Sequence, residues 1–219
     1  MLVRPRFVLV LDFEATCDRD ARHWKHEIIE FPAVLLDGRT LAPVLDADGS
    51  PREFRRFVQP SERPQLTAFC TELTSITQAD IDTADMLSTV LRQFDAWLDE
   101  LGLLSEPREV LALTCGDWDL AMCLPNECAR KGLAVPHALR RWCNVKFAFQ
   151  ATLPAAGKRA RHMAGMLEAL GLPLIGRHHL GIDDARNIGT IARELGRRGA
   201  PICATSEDGG HAMRTAREA

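Results

Sequence analysis

Residues 7–11, Phe-Val-Leu-Val-Leu, form an unbroken apolar run that ends directly in Asp12-Phe13-Glu14. A run this short with no polar alternation cannot keep one face in water, so it reads as a strand buried on both faces, inside a sheet covered by helices. That single element already points to an α/β architecture. It also places two carboxylates at the carboxyl end of a central strand, where open α/β sheets gather their ligands.

The rest of the chain fits around such a strand. Residues 31–36 (FPAVLL) and 54–59 (FRRFVQ) read as two more strands, with turn residues DADGSP between them, giving an antiparallel meander. Past Pro60 the period changes. Thr77 to Asp80 has the form of a capping box, and Met86, Val90, Phe94 and Leu98 recur every four residues as the packed face of a long helix. Residues 109–114 (EVLALT) are another buried strand, and a strand alternating with helices implies a parallel connection. A helix is expected over 120–131, kinked or restarted at Pro125. A short strand is expected over 142–149, and helices over 160–170 and 183–198, the first of them stopped by Gly171. One domain over residues 1–200 is expected, with a flexible tail over 201–219.

The 219 residues suit one medium domain, and a hydrophobic share of 46% with a charged share of 26% is ordinary for a soluble globular chain. No run of about 18 apolar residues is present, and the opening segment ends in acids, so it reads as a strand and not as a signal peptide. Seven cysteines at irregular spacing form no CxxC pair, which suits reduced thiols in a cytoplasmic protein. A net charge of −3 offers no general attraction to phosphates, so any polynucleotide site must be local and metal-assisted.

Three segments carry candidate chemistry. Asp12 and Glu14, two residues apart, share one side of the pleat, whereas Phe13 points elsewhere. Adjacent carboxylates repel unless a cation sits between them, and Mg²⁺ or Mn²⁺ takes such oxygen ligands. Acids after a strand also simply solvate a loop. The second segment, Thr114 to Leu120, follows the 109–114 strand; Asp119 is the preferred ligand and Asp117 the competitor, equally suited to cap a helix. The third, His178 to Asn187, runs a histidine loop into the first turn of a helix, where acids also stabilise the helix dipole without catalysis.

Taken in order, D-x-E after the first strand, an aspartate after a later strand and H-x4-D entering the last helix resemble the DEDDh exonucleases, the group of proofreading subunits and ribonuclease T. The strings LDFEATC, FCTELTSITQADID, CGDWDL and RHHLGIDDARNI are similar to the branch that contains the three-prime histone messenger RNA exonuclease and the RNAi-enhancing exonucleases. The likeness spans about residues 7 to 198; Pro125, after the second motif, departs from the pattern. It implies a ribonuclease H-like fold, with a mixed sheet of three antiparallel strands plus parallel strands, flanked by helices.

The resemblance also implies roles. Asp12, Glu14 and Asp184 would hold one divalent ion, with Asp12 bridging to a second that Asp119 completes, directly or through water. Two such ions, Mg²⁺ or Mn²⁺, activate a water and stabilise the leaving 3′-oxygen. His179 would be the general base, since it alone has the family's spacing of five to Asp184; His178 is the alternative. Phe69 to Ile76 resembles the nucleoside pocket, with Leu73 and Ile76 against the base and Thr74 beside them. Ala15 and Thr16 would line the same pocket. Phe13 and Trp118, each next to a ligand, could stack on bases or belong to the core.

Two basic stretches remain: Arg140, Arg141 and Lys146, interleaved with Trp142 and Phe147, and Lys158-Arg159-Ala160-Arg161. Either could guide a phosphate backbone or be a solvated face. The favoured function is a 3′-to-5′ exonuclease acting on single-stranded RNA or short overhangs and releasing nucleoside 5′-monophosphates. A DNA proofreading or repair exonuclease and a non-catalytic nucleic-acid- or protein-binding regulator are the competing readings. Oligomeric state is not legible.

Overall fold

The computed structural model describes residues 4–19, 24–157 and 160–207. Its centre is strand β1 (Phe7–Leu11), wholly buried after its first residue. β1 pairs antiparallel with β3 (Ile28–Asp37), which pairs antiparallel with β4 (Glu53–Gln59). On its other edge β1 runs parallel to β6 (Val110–Thr114), and β6 parallel to β7 (Arg141–Asn144). Three short strands complete the sheet: β2 (Glu14–Ala15) on β3, β5 (Asp85–Met86) at the β4 edge, and β8 (Ser206–Glu207) antiparallel to β7. The order is β5-β4-β3-β1-β6-β7-β8, with β2 off this path. This is the mixed ribonuclease H-like sheet, flanked by helices, that the motif order implied.

Side chains alternate across the sheet and divide the core in two. Val8 and Val10 pack with Leu111 and Leu113 under α5 (Val145–Thr152), α7 (Met163–Leu170) and α8 (Gly181–Arg197). Leu9 and Leu11 pack on the opposite face under α3 (Leu87–Glu100) and α4 (Leu124–Lys131), beside Phe31, Phe54 and Phe94. A smaller cluster of Ile29, Cys70, Ile76 and Ile81 seats α1 (Ala68–Thr74) and α2 (Gln78–Asp82). Ile29 reaches it because the β2/β3 register slips there: Glu14 pairs with Glu30 but Ala15 with Ile28. Among the described residues no helix is long and apolar enough to cross a membrane.

Three details bear on the sequence expectation, two of them as departures. The segment 142–149 is a strand only to Asn144, whose side chain then accepts from the Lys146 N–H and starts α5. The helix expected over 120–131, kinked or restarted at Pro125, does restart there. Asp119–Cys123 is a π-helical turn, closed by the Leu124 N–H on the Asp119 carbonyl, and α4 begins after it. Pro125 has no N–H to give and its ring crowds the carbonyl four residues back, so a widened turn ahead of it relieves both problems. Third, residues 201–207, expected in a flexible tail, run to β8, with Ser206 buried. The remainder of that tail, 208–219, lies outside the described residues. The helical piece α6 (Pro154–Gly157) follows α5.

Candidate active site

β1 stops at Leu11, and the next residues keep its alternation. Phe13 continues the Leu9/Leu11 side into the aromatic core, its ring 4.6 Å from Phe31. Asp12 and Glu14 therefore emerge on the other side, the one that α8 covers. The amino end of α8 comes unusually close. A Cβ on Gly181 would lie 2.5 Å from the Asp12 carbonyl oxygen and 3.0 Å from Pro32 Cγ, so only glycine lets the helix start there. The Gly181 N–H (3.0 Å) and Ile182 N–H (3.4 Å) donate to the carboxylate of Glu30, a fully buried β3 residue whose other partner is Arg55 at 2.7 Å. A carboxylate suits a helix amino end, where free N–H groups and the dipole both favour negative charge. Glu30 thus fixes α8, although sequence reading passed over it. Its signal was one acid within the apolar segment IIEFPAVLL.

Anchoring α8 in this way brings Asp184, in its first turn, against the two acids from β1. Carboxylate oxygens of Asp12, Glu14 and Asp184 all lie within 4.8 Å of one another. Asp119 joins from the β6 side, its Oδ1 accepting the Phe13 N–H at 2.9 Å. Asp117 does not join them: it accepts from Trp142 Nε1 at 2.9 Å and Asn144 Nδ2 at 3.0 Å, and so ties the loop after β6 to β7. Of the two aspartates, Asp119 is the one whose charge bears on Asp12.

The loop before α8 folds over the cluster. His179 has a left-handed backbone, φ 66°, which turns its N–H onto Asp184 Oδ2 at 2.9 Å. His178 Nδ1 sits 3.0 Å from the same oxygen, and the two imidazoles stack with centroids 3.9 Å apart. Ligand atoms of His178, His179 and Asp184 also fall within 4.8 Å of one another. Unlike His178, His179 makes no side-chain hydrogen bond among the described residues, which leaves its ring available.

Electrostatics show how much these acids conflict. Burial, then the charges of Asp119, Asp184 and Glu30, push Asp12 well above the usual carboxylate range. Burial and the Asp12 charge push Glu14 up to about 10. Burial raises Asp119 to about 6 against the opposing pull of the Phe13 N–H and Lys146, and it raises Asp184 against the hydrogen bonds from His179 and His178. Oxygen donors gathered this closely, and holding protons for want of positive charge, are the donor set that a hard divalent cation needs.

The expected nucleoside pocket lies beside the cluster. Ala15 and Thr16 are buried; the Ala15 carbonyl accepts from Cys70 Sγ at 3.7 Å, and Thr16 Oγ1 takes the Glu27 N–H and Trp24 Nε1. Thr74 is buried and its hydroxyl donates to the Cys70 carbonyl, while Ile76 is a core residue of the α1/α2 cluster. Leu73 is half-buried and leaves an edge accessible. Of the two rings that could stack on a base or belong to the core, Phe13 is 5% exposed in the core, whereas Trp118 is 41% exposed, edge-on to His26. Arg177, from the histidine loop, reaches the Glu72 carbonyl of α1 at 3.3 Å and closes one side of this region.

Comparison with known proteins gives the family. Residues 9–192 match the family described as Exonuclease. Human ERI1 exoribonuclease 3 is 42% identical over 204 residues, covering 93% of this chain and 58% of its own length. The chain therefore spans a little over half of that relative. The 3'-5' exonuclease Snipper of Drosophila melanogaster is 35% identical over 215 residues, 92% of this chain and 73% of its own. The nuclease domain of 3'hExo, a DEDDh family member solved bound to rAMP, superimposes with a TM-score of 0.82 at 31% identity, over 94% of this chain and all of that one. With the Exonuclease family matching residues 9–192 and with these identities over most of its length, the chain belongs to the exonuclease family, in its DEDDh 3′-to-5′ branch.

Proposed function

We propose that this protein is a metal-dependent 3′-to-5′ exoribonuclease that shortens single-stranded RNA ends, or short 3′ overhangs, to nucleoside 5′-monophosphates. The observation that carries the reading is the gathering of Asp12, Glu14 and Asp184 oxygens within 4.8 Å, on a site that burial and mutual repulsion leave short of positive charge. Asp12, Glu14 and Asp184 would hold one Mg²⁺ or Mn²⁺, and Asp12 with Asp119 would hold a second. Such ions lower the pKa of a water and offset the charge on the leaving oxygen. His179 takes the proton of the attacking water, since its ring is unengaged while His178 is spent on Asp184. Leu73, with the backbone around Ala15, Thr16, Thr74 and Ile76, borders the terminal nucleoside, and Trp118 offers an exposed face to the neighbouring base. RNA is favoured over DNA because human ERI1 exoribonuclease 3 is named for RNA and the 3'hExo nuclease domain was solved with rAMP.

The test is digestion of 5′-labelled RNA and DNA oligonucleotides of the same sequence with Mg²⁺, Mn²⁺ or EDTA. Stepwise shortening of RNA from the 3′ end, faster than of DNA and abolished by EDTA and by Asp184→Asn, is expected. Preference for DNA would replace the substrate assignment, and no shortening of either under any condition would leave a binding protein on the same fold.

A further inference from the structure

Sequence reading grouped Arg140, Arg141 and Lys146 as one basic stretch, and the fold splits them. Arg141 opens β7, its guanidinium on the carbonyls of Arg108 and Val110 at the start of β6, the end of the sheet remote from the acids. Lys146 follows the other end of β7, at the catalytic edge. Its Nζ lies 3.5 Å from where a Cβ on Gly116 would sit, three residues before Asp119; Gly116 has φ +129°, a conformation glycine supplies. Lys146 is half-buried, and among the described residues its ammonium forms no ion pair or hydrogen bond. Its charge reaches Asp12, Asp119 and Cys115, pulling each downward in pKa.

Lys146 also lines an open cleft of about 410 Å³ with Phe149, Gln150, Gly157, Ala160 and Arg161. That lining holds two cations and no acid. A neighbouring cleft shares Gln150 and presents Phe147, which is 45% exposed. Lys158 and Arg159, the rest of the second basic run, lie outside the described residues. The sheet order then sets a polarity. The α1 pocket stands over β2 and β3, the acids at the end of β1 come next, and Lys146 with its cleft lies beyond β6 and β7.

We infer that the cleft between α5 and Arg161 is an anion-binding track for the substrate strand on the 5′ side of the cut, with Lys146 holding the first internucleotide phosphate upstream of the scissile one. The inference rests on the exonuclease reading, which puts the 3′-terminal nucleoside in the α1 pocket. An ammonium without a protein partner, next to an acidic centre that binds cations, is placed to take one phosphate while the cluster's ions take the next. Arg161 extends the track by a further phosphate, and Phe147 gives a base a ring to stack on.

Binding of labelled RNA in Ca²⁺, followed by anisotropy, tests this, with AMP competition as the control because AMP has no upstream phosphate. Lys146→Met should weaken a hexanucleotide by about tenfold, the scale of one charge-assisted hydrogen bond, and reduce the slope of log K against log salt by about 1, while AMP binds as before. Arg161→Met should give a smaller loss that appears only with chains longer than a dinucleotide. Unchanged hexanucleotide affinity in Lys146→Met, with the parent melting temperature, overturns the track. So does an equal loss for AMP, which would make Lys146 a partner of the acid cluster alone. Lys146→Arg, which keeps the charge, should restore most of the affinity. If the parent protein binds neither AMP nor RNA, it is the exonuclease reading that fails.

Discussion

At the scale of single residues, the two adjacent histidines have been given different work. His178 is bonded to Asp184 through Nδ1, whereas His179 contributes its backbone N–H to the same carboxylate and keeps its ring free. His179→Ala should therefore lower kcat by about 10²–10⁴ with little change in Mg²⁺ affinity measured by calorimetry. His178→Ala should act chiefly on Mg²⁺ affinity, by letting Asp184 swing; the reverse pattern would exchange their roles. The pH profile carries a sign of its own. Burial, together with the charges of His178 and Arg177, holds His179 below the ordinary 6.5, and a bound divalent ion pushes it the same way. A base works when deprotonated, so kcat/KM should rise with pH and reach half its plateau below pH 6.5, measured by initial rates on a fluorescent RNA; a midpoint at or above 6.5 would contradict the assignment.

Among elements, the decisive contact is the start of α8 against the end of β1. Gly181→Ala puts a methyl 2.5 Å from the Asp12 carbonyl, which must part the helix from the strand. Stability should fall by about 1–3 kcal/mol in urea titration, and the rate should fall further than stability explains, since Asp184 moves with the helix. Legibility from sequence divides along the same elements. The central strands could be read because burial on both faces leaves a continuous apolar run, as in Phe7–Leu11 and Val110–Thr114. The acids could be read because each stands where a strand or helix begins or ends. Trp142–Phe149 could not, because apolar residues there serve both a strand and the helix after it, and the deciding signal was Asn144 as a cap. Phe13 stayed open between stacking and core, because alternation alone gives its side of the sheet and not what covers that side; Phe31 does. Glu30 escaped notice because its role depends on a helix start 151 residues away.

For the whole molecule, the acid cluster is a charge that folding must bring together before any ion compensates it. In the metal-free protein Glu14 sits near 10 against an ordinary 4.5. A folded pKa above the unfolded one means that the unfolded chain ionises first, so this group subtracts stability as pH rises from about 4.5 toward 10. Glu14→Gln should thus raise the melting temperature in EDTA at pH 8 and erase most of the gain that Mg²⁺ gives the parent protein. Scanning fluorimetry with and without Mg²⁺ measures both, and a variant that melts lower than the parent in EDTA would show that hydrogen bonding to Glu14 outweighs its repulsion.

The proximity of Gly181 to the Asp12 backbone also bears on when such a protein becomes dangerous to RNA. The proposed centre draws on positions 12, 14, 119 and 184, so a ribosome must deliver the chain through residue 184 before those groups can meet. On the proposed function, a chain halted before residue 181 leaves the message being translated intact, and a truncation ending there should be inert however well its sheet forms.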